Sequence, residues 1–145
     1  MSEFFIKQAF AEAIDLQKNQ KYDEAKKLYE KILKRDSKDA NARHLIALIY
    51  MAEGNFNEAK KNIEIAIDQA PDQPIFHSNY GALLHSMGNH KEAVVALEKS
   101  IKLDDKLFQS YYSLGIAYSD LNQNEKAVEA YHKALDVNNK SAAAH

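Results

Sequence analysis

The chain has 145 residues, enough for one ordinary domain or one stretch of a repeat array. Apolar residues make up 46% and charged residues 28%, a balance that favours a folded, soluble chain over a disordered one. The formal net charge of −2 supplies no field to draw the chain to nucleic acid, and the absence of cysteine excludes disulfides, thiolate nucleophiles and cysteine-ligated metal centres.

The opening Met1-Ser2-Glu3-Phe4-Phe5 carries an acidic residue where a secretory leader is basic. Its apolar run is too short for a membrane span, so a cytoplasmic chain without a membrane partner is expected. From there the pattern predicts eight helices, near 3–18, 22–35, 40–53, 56–69, 74–87, 90–102, 108–121 and 124–137. They come in pairs, because five columns recur in steps of 34. The small residues Ala13, Ala47, Gly81 and Gly115 form one column, and Ala25, Ala59, Ala93 and Ala127 another; both let paired helices approach closely. The large residues Leu16, Tyr50, Leu84 and Tyr118, and likewise Tyr29, Ile63, Leu97 and Tyr131, fill the space around those contacts. Gln20, Gly54, Gly88 and Asn122 mark the bends, with Gln20 the poorest fit to a left-handed helix end and its bend the least sharply defined. Pro71 and Pro74 stop one helix and open the next, and Asp39 and Asp105 are expected as N-caps. The repeats therefore run 6–39, 40–73, 74–107 and 108–141, a single array over 1–145 in which residues 142–145 read as the opening turn of a truncated fifth repeat.

A 34-residue period with these columns resembles the tetratricopeptide repeat. The motifs closest to that family are Asn79-Tyr80-Gly81 with Gly88 and Glu92-Ala93, then Leu114-Gly115-Ile116-Ala117-Tyr118 with Ala127. The first repeat departs most, with Ala9 where the family prefers tryptophan and Glu12 where it prefers leucine. The resemblance implies an all-α, right-handed superhelical solenoid of antiparallel helix pairs, whose first helices line a concave face that binds peptides or proteins. Carried onto this sequence, the groove is lined by Phe10, Ile14 and Lys18; Asn41, His44, Leu48 and Met51; Ile75, Asn79, Ala82 and His85; and Gln109, Tyr112 and Ile116. Spacings of three and four residues put each strip on one helix face.

Two groove chemistries known in the family do not fit. Phe10 and Ile14 stand where a carboxylate clamp would place its first residues, and neither binds a carboxylate. Asn79 is one rung of an asparagine ladder whose other places hold Ala11, Leu45 and Ser113. The expectation is a protein-interaction scaffold that takes an apolar or amphipathic segment by its side chains. Rival readings are a substrate-recruiting module of a larger enzyme, with its catalytic domain beyond residue 145, and an assembly scaffold.

The four glycines are all used at bends and helix contacts, so none is left for a phosphate loop. The six histidines form no i, i+4 pair, and His85 and His90 are five apart, so no metal, no cofactor and no catalysis are expected. Val128, Tyr131 and Leu135 on the last helix would lack a cover, a candidate face for homodimer formation.

Overall fold

The computed structural model describes residues 3–144, which hold eight α-helices and no strand. They are α1 (Glu3–Lys18), α2 (Tyr22–Arg35), α3 (Ala40–Ala52), α4 (Phe56–Gln69), α5 (Pro74–Ser86), α6 (His90–Leu103), α7 (Phe108–Asp120) and α8 (Asn124–Ala144). The chain divides into two compact units, the first ending at Pro71 and the second beginning at Asp72. Each unit is two helical hairpins.

The bends share one construction. Gln20, Gly54, Gly88 and Asn122 have φ of 61, 77, 84 and 60°, all in the left-handed region. In each, the next backbone N–H reaches back around the helix end: Lys21 to Leu16, Asn55 to Tyr50, Asn89 to Leu84 and Gln123 to Tyr118, at 2.8, 2.8, 2.8 and 2.9 Å. This closure satisfies carbonyls that a helix end otherwise leaves open. The first bend is therefore as sharp as the rest, against the expectation from Gln20. The bonds on both sides of it hold a side chain in a conformation that glycine adopts more cheaply.

Within a hairpin the small columns meet the large ones. A Cβ at Gly81 would lie 2.5 Å from Leu97 Cγ, and one at Gly115 would lie 2.5 Å from Tyr131 Cε1. Ala13, Ala25, Ala47, Ala59 and Ala93 are all fully buried. In the first unit the core joins Ala13, Ala25, Tyr29, Ile32, Ala42 and Ile49; in the second it joins Leu84, Ala93, Leu97, Leu114, Ala117 and Ala130. Lys26 ties α2 to α3 by an ion pair with Glu53 (2.9 Å) while lying over the Tyr50 ring at 4.6 Å. Burial would lower the Lys26 pKa, but the Glu53 carboxylate, together with Tyr50 and Asp23, overcomes this and holds it above its ordinary value. The second unit carries a polar seam instead. Ser100 Oγ donates to the Pro74 carbonyl at 2.9 Å and lies 2.9 Å from Ser110 Oγ, itself 3.1 Å from Ser78 Oγ, so buried hydroxyls join α5, α6 and α7.

Helix starts and stops follow the sequence in most places. Asp39 caps α3, its carboxylate accepting from Ala42 N at 3.0 Å, and Pro74 opens α5 as its first residue. Asp105 is not a cap. The N-cap of α7 is Leu107, two residues on, and Asp105 offers its carbonyl to the Tyr111 hydroxyl at 2.9 Å. At the last helix, α8 runs on through Ala144 where a stop near 137 and a new opening turn at 142 were expected. No proline or glycine interrupts the stretch, and alanine is the strongest helix former. His145 lies outside the described residues.

The bends and the close contacts give opposite forecasts for glycine. Replacing Gln20 by Gly should stabilise the chain by about 0.5–1 kcal/mol, because it relieves a left-handed side chain. Gly81→Ala should cost about 1–3 kcal/mol by forcing Leu97 aside. Urea unfolding of the two variants checks both signs.

Candidate functional site

In the first unit, the predicted surface is only partly free. Phe10 is half-buried, its ring 6.1 Å from Tyr29, so it completes the hairpin core. Ile14 is 37% exposed. With Lys18 it lines a shallow cavity of about 390 Å³, completed by Gln17, Tyr22, Leu45 and Ala52. Gln17 also accepts from the Tyr29 hydroxyl at 2.8 Å, and burial pushes that phenol up to about 12. On α3, Asn41 is exposed and Leu48 and Met51 are half-buried. His44 is not a groove residue in the expected sense: it is only 6% exposed, and burial pushes its imidazole down to about 4.

In the second unit, α5 and α7 pack side by side. Ile75, Asn79, Ala82, His85 and Ile116 are half-buried, and Gln109 and Tyr112 are exposed. Two links cross between these helices. Gln109 Nε2 donates to Asn79 Oδ1 at 2.8 Å, and His85 Nε2 lies 2.5 Å from Asp120 Oδ2. The Tyr112 ring stacks on Phe108, with centroids 5.8 Å apart and planes 16° from parallel, and it meets Tyr131 at 5.9 Å. Phe108 is 41% and Tyr112 49% exposed, so α7 presents an aromatic platform.

On α8, Val128 and Leu135 are 54% and 55% exposed. Tyr131 is different: it is half-buried and packs towards Gly115 and Tyr112, so it belongs to the hairpin and not to an uncovered face. Sequence reasoning also missed Phe108, Leu45, Gln17, Tyr22 and Ala52. The i, i+4 spacing of Phe108 and Tyr112 was a readable signal. The others enter from neighbouring turns and could not be placed without the packing.

The family follows from comparison with known proteins. Tetratricopeptide repeat families match residues 16–83, 76–107 and 108–141. The chain belongs to the tetratricopeptide repeat family. Its all-α fold is shared with a crystal structure of MamA, at TM-score 0.84 and 22% identity, covering 94% of this chain and 80% of that one. It is shared also with PilF of Pseudomonas aeruginosa, at TM-score 0.87 and 19% identity, covering 92% and 61%. Among curated proteins, it is 32% identical over 97 residues to small glutamine-rich tetratricopeptide repeat-containing protein 2 of Saccharomyces cerevisiae, covering 62% of this chain and 28% of that protein. It is 28% identical over 95 residues to mouse DnaJ homolog subfamily C member 7, covering 66% and 19%. The chain thus spans less than a third of the length of these curated relatives.

His44 makes the fold sensitive to acid. Its folded value of about 4 lies below the ordinary 6.5, so between those values the unfolded chain takes up a proton that the folded chain refuses. The stability is complete above pH 6.5 and falls as the pH drops towards 4, by up to roughly 3 kcal/mol. Urea midpoints measured across that range should fall in the wild type, and the fall should be shallower in His44→Gln.

Proposed function

We propose that this chain is a protein-interaction scaffold that holds an apolar or amphipathic peptide segment against the first-helix faces of its hairpins. The observation that carries this reading is the exposed aromatic pair on α7. Phe108 and Tyr112 stand stacked, 41% and 49% exposed, beside the half-buried Ile116. Exposed aromatic surface of this kind is the anchor that partner side chains use when they leave water. Ile14 and the cavity it shares with Leu45 offer a second apolar foothold in the first unit.

The polar groups near these anchors support side-chain over main-chain recognition. Asn79 Oδ1 already accepts from Gln109, so it is not held in reserve for a peptide N–H. A carboxylate clamp is equally unsupported in the first unit, where Phe10 and Ile14 occupy its place. One of the curated relatives is a heat-shock cognate co-chaperone, sgt12 of Aspergillus fumigatus, 32% identical over 93 residues. That likeness supports a protein partner here, with an apolar in place of a clamped, charged end.

The test compares Tyr112→Glu and Ile14→Glu with Val95→Glu, a control on α6 that is 66% exposed away from these anchors. In pull-downs from the source cell, with folding verified by circular dichroism, the first two variants should lose at least about tenfold of partner recovery. Val95→Glu should lose none. Equal recovery by all three refutes the assignment.

A further inference from the structure

One cluster in the second unit shares only His85 with the predicted groove lining and includes neither of the peptide anchors Tyr112 and Ile14. His85 lies in the last turn of α5, His90 is the first residue of α6, and Asp120 ends α7. The bend at Gly88 folds the chain back between the two histidines, whose ring centroids are 4.8 Å apart. The next repeat brings Asp120 to them, so that one ligand atom from each of the three lies within 4.8 Å of the others. We propose that His85, His90 and Asp120 form a binding site for a divalent transition-metal ion of the zinc type.

The donor set suits that class. Two imidazoles, which are borderline nitrogen donors, select for zinc, nickel or copper over calcium and magnesium, which take oxygen ligands, and the one carboxylate is a donor that zinc also accepts. Bonds of about 2.0–2.2 Å in a tetrahedral site put ligand atoms about 3.4 Å apart. The cluster therefore has to contract at its widest and open slightly between His85 and Asp120, changes within reach of side-chain rotation. His85 and Asp120 hold one another by a hydrogen bond, which keeps the carboxylate at the site. His90 supplies the independent sign. Its Nδ1 is buried and has no hydrogen-bond partner among the described residues, so no protein bond competes for that nitrogen. A buried unpaired nitrogen is costly, and ligation through Nδ1 would give that atom the partner it lacks.

Three protein ligands leave a tetrahedral ion one open position for water or an outside donor. All three ligands sit at helix ends beside one hairpin bend, in two consecutive repeats. Bound metal would therefore clip α5, α6 and α7 together at that end and stabilise the folded chain by mass action.

The experiment titrates the full chain with Zn²⁺ by calorimetry and with Co²⁺ by its visible absorption. One equivalent of each ion is expected to bind, with a rise in the thermal midpoint. His90→Ala and Asp120→Asn should each weaken binding at least about 100-fold, whereas His132→Ala, on α8, should leave it unchanged. Asp120→Asn keeps a side chain that can still pair with His85, so its effect reads ligation and not folding. Failure to bind one equivalent, or binding that survives both ligand variants, overturns the site. Neither result bears on partner recovery, so this site and the peptide surface stand or fall separately.

Discussion

The second unit and the first are both governed by one local constraint, the left-handed residue that turns each hairpin. Where the backbone takes φ between 60 and 84°, the N–H that follows it closes back onto the preceding helix at 2.8–2.9 Å. That closure fixes where the returning helix starts and how near it must pass. Near passage then demands that something small face something large, and Gly81 against Leu97 and Gly115 against Tyr131 show how little room is left. An alanine in the same column, as at Ala13 and Ala47, is fully buried too. The period of the sequence is thus a consequence of one bend geometry used four times, and Gln20 shows that the geometry prevails even over a residue with little preference for it.

That is why the fold was readable. A steric demand that recurs at a fixed spacing leaves the same residue sizes at that spacing, and the helix limits predicted from it agree with the observed ones to within a residue for α1 to α7. What a period cannot convey is how much of an equivalent position is covered. Phe10, His44, Ser78 and Tyr112 are one column in steps of 34, yet Ser78 is fully buried, His44 is 6% exposed and Tyr112 is 49% exposed. Neighbours outside the column decide the difference. The same limit explains Tyr131, placed on an open face by its helix position and found packed into its own hairpin.

One cap and the end of the last helix were harder to read, for a related reason. Caps depend on one residue at one position, and a shift of two residues separates Asp105 from the place where it would act. The end of α8 depends on what does not interrupt it. Asp36 and Asp104 turn the chain after α2 and α6 by accepting from the backbone N–H two residues on, at 3.0 and 2.9 Å. Asn138 occupies the equivalent step within α8, and the helix continues through it. A turn-forming side chain offers a bend without compelling one, and the alanine-rich stretch that follows favours the helix.

Function in a repeat fold has to come from the residues that break the repetition. His85 shares its column with Met51 and Ser119, His90 with Phe56 and Asn124, and Asp120 with Ala52 and Ser86. Among the described residues no other bend holds two imidazoles and a carboxylate, so the cluster belongs to one junction and not to the scaffold. It escaped the usual helical metal spacing because that spacing looks along a single helix. Here the bend joins residues five apart and the stacking of hairpins adds a third from 35 positions beyond His85. The aromatic pair on α7 is equally local, since Phe108 and Tyr112 correspond to Pro74 and Ser78 one repeat earlier. The columns build the hairpin scaffold that recurs along this chain. The departures from them give its surface a particular chemistry, an aromatic platform at one end of α7 and a cation-ligating corner at the other.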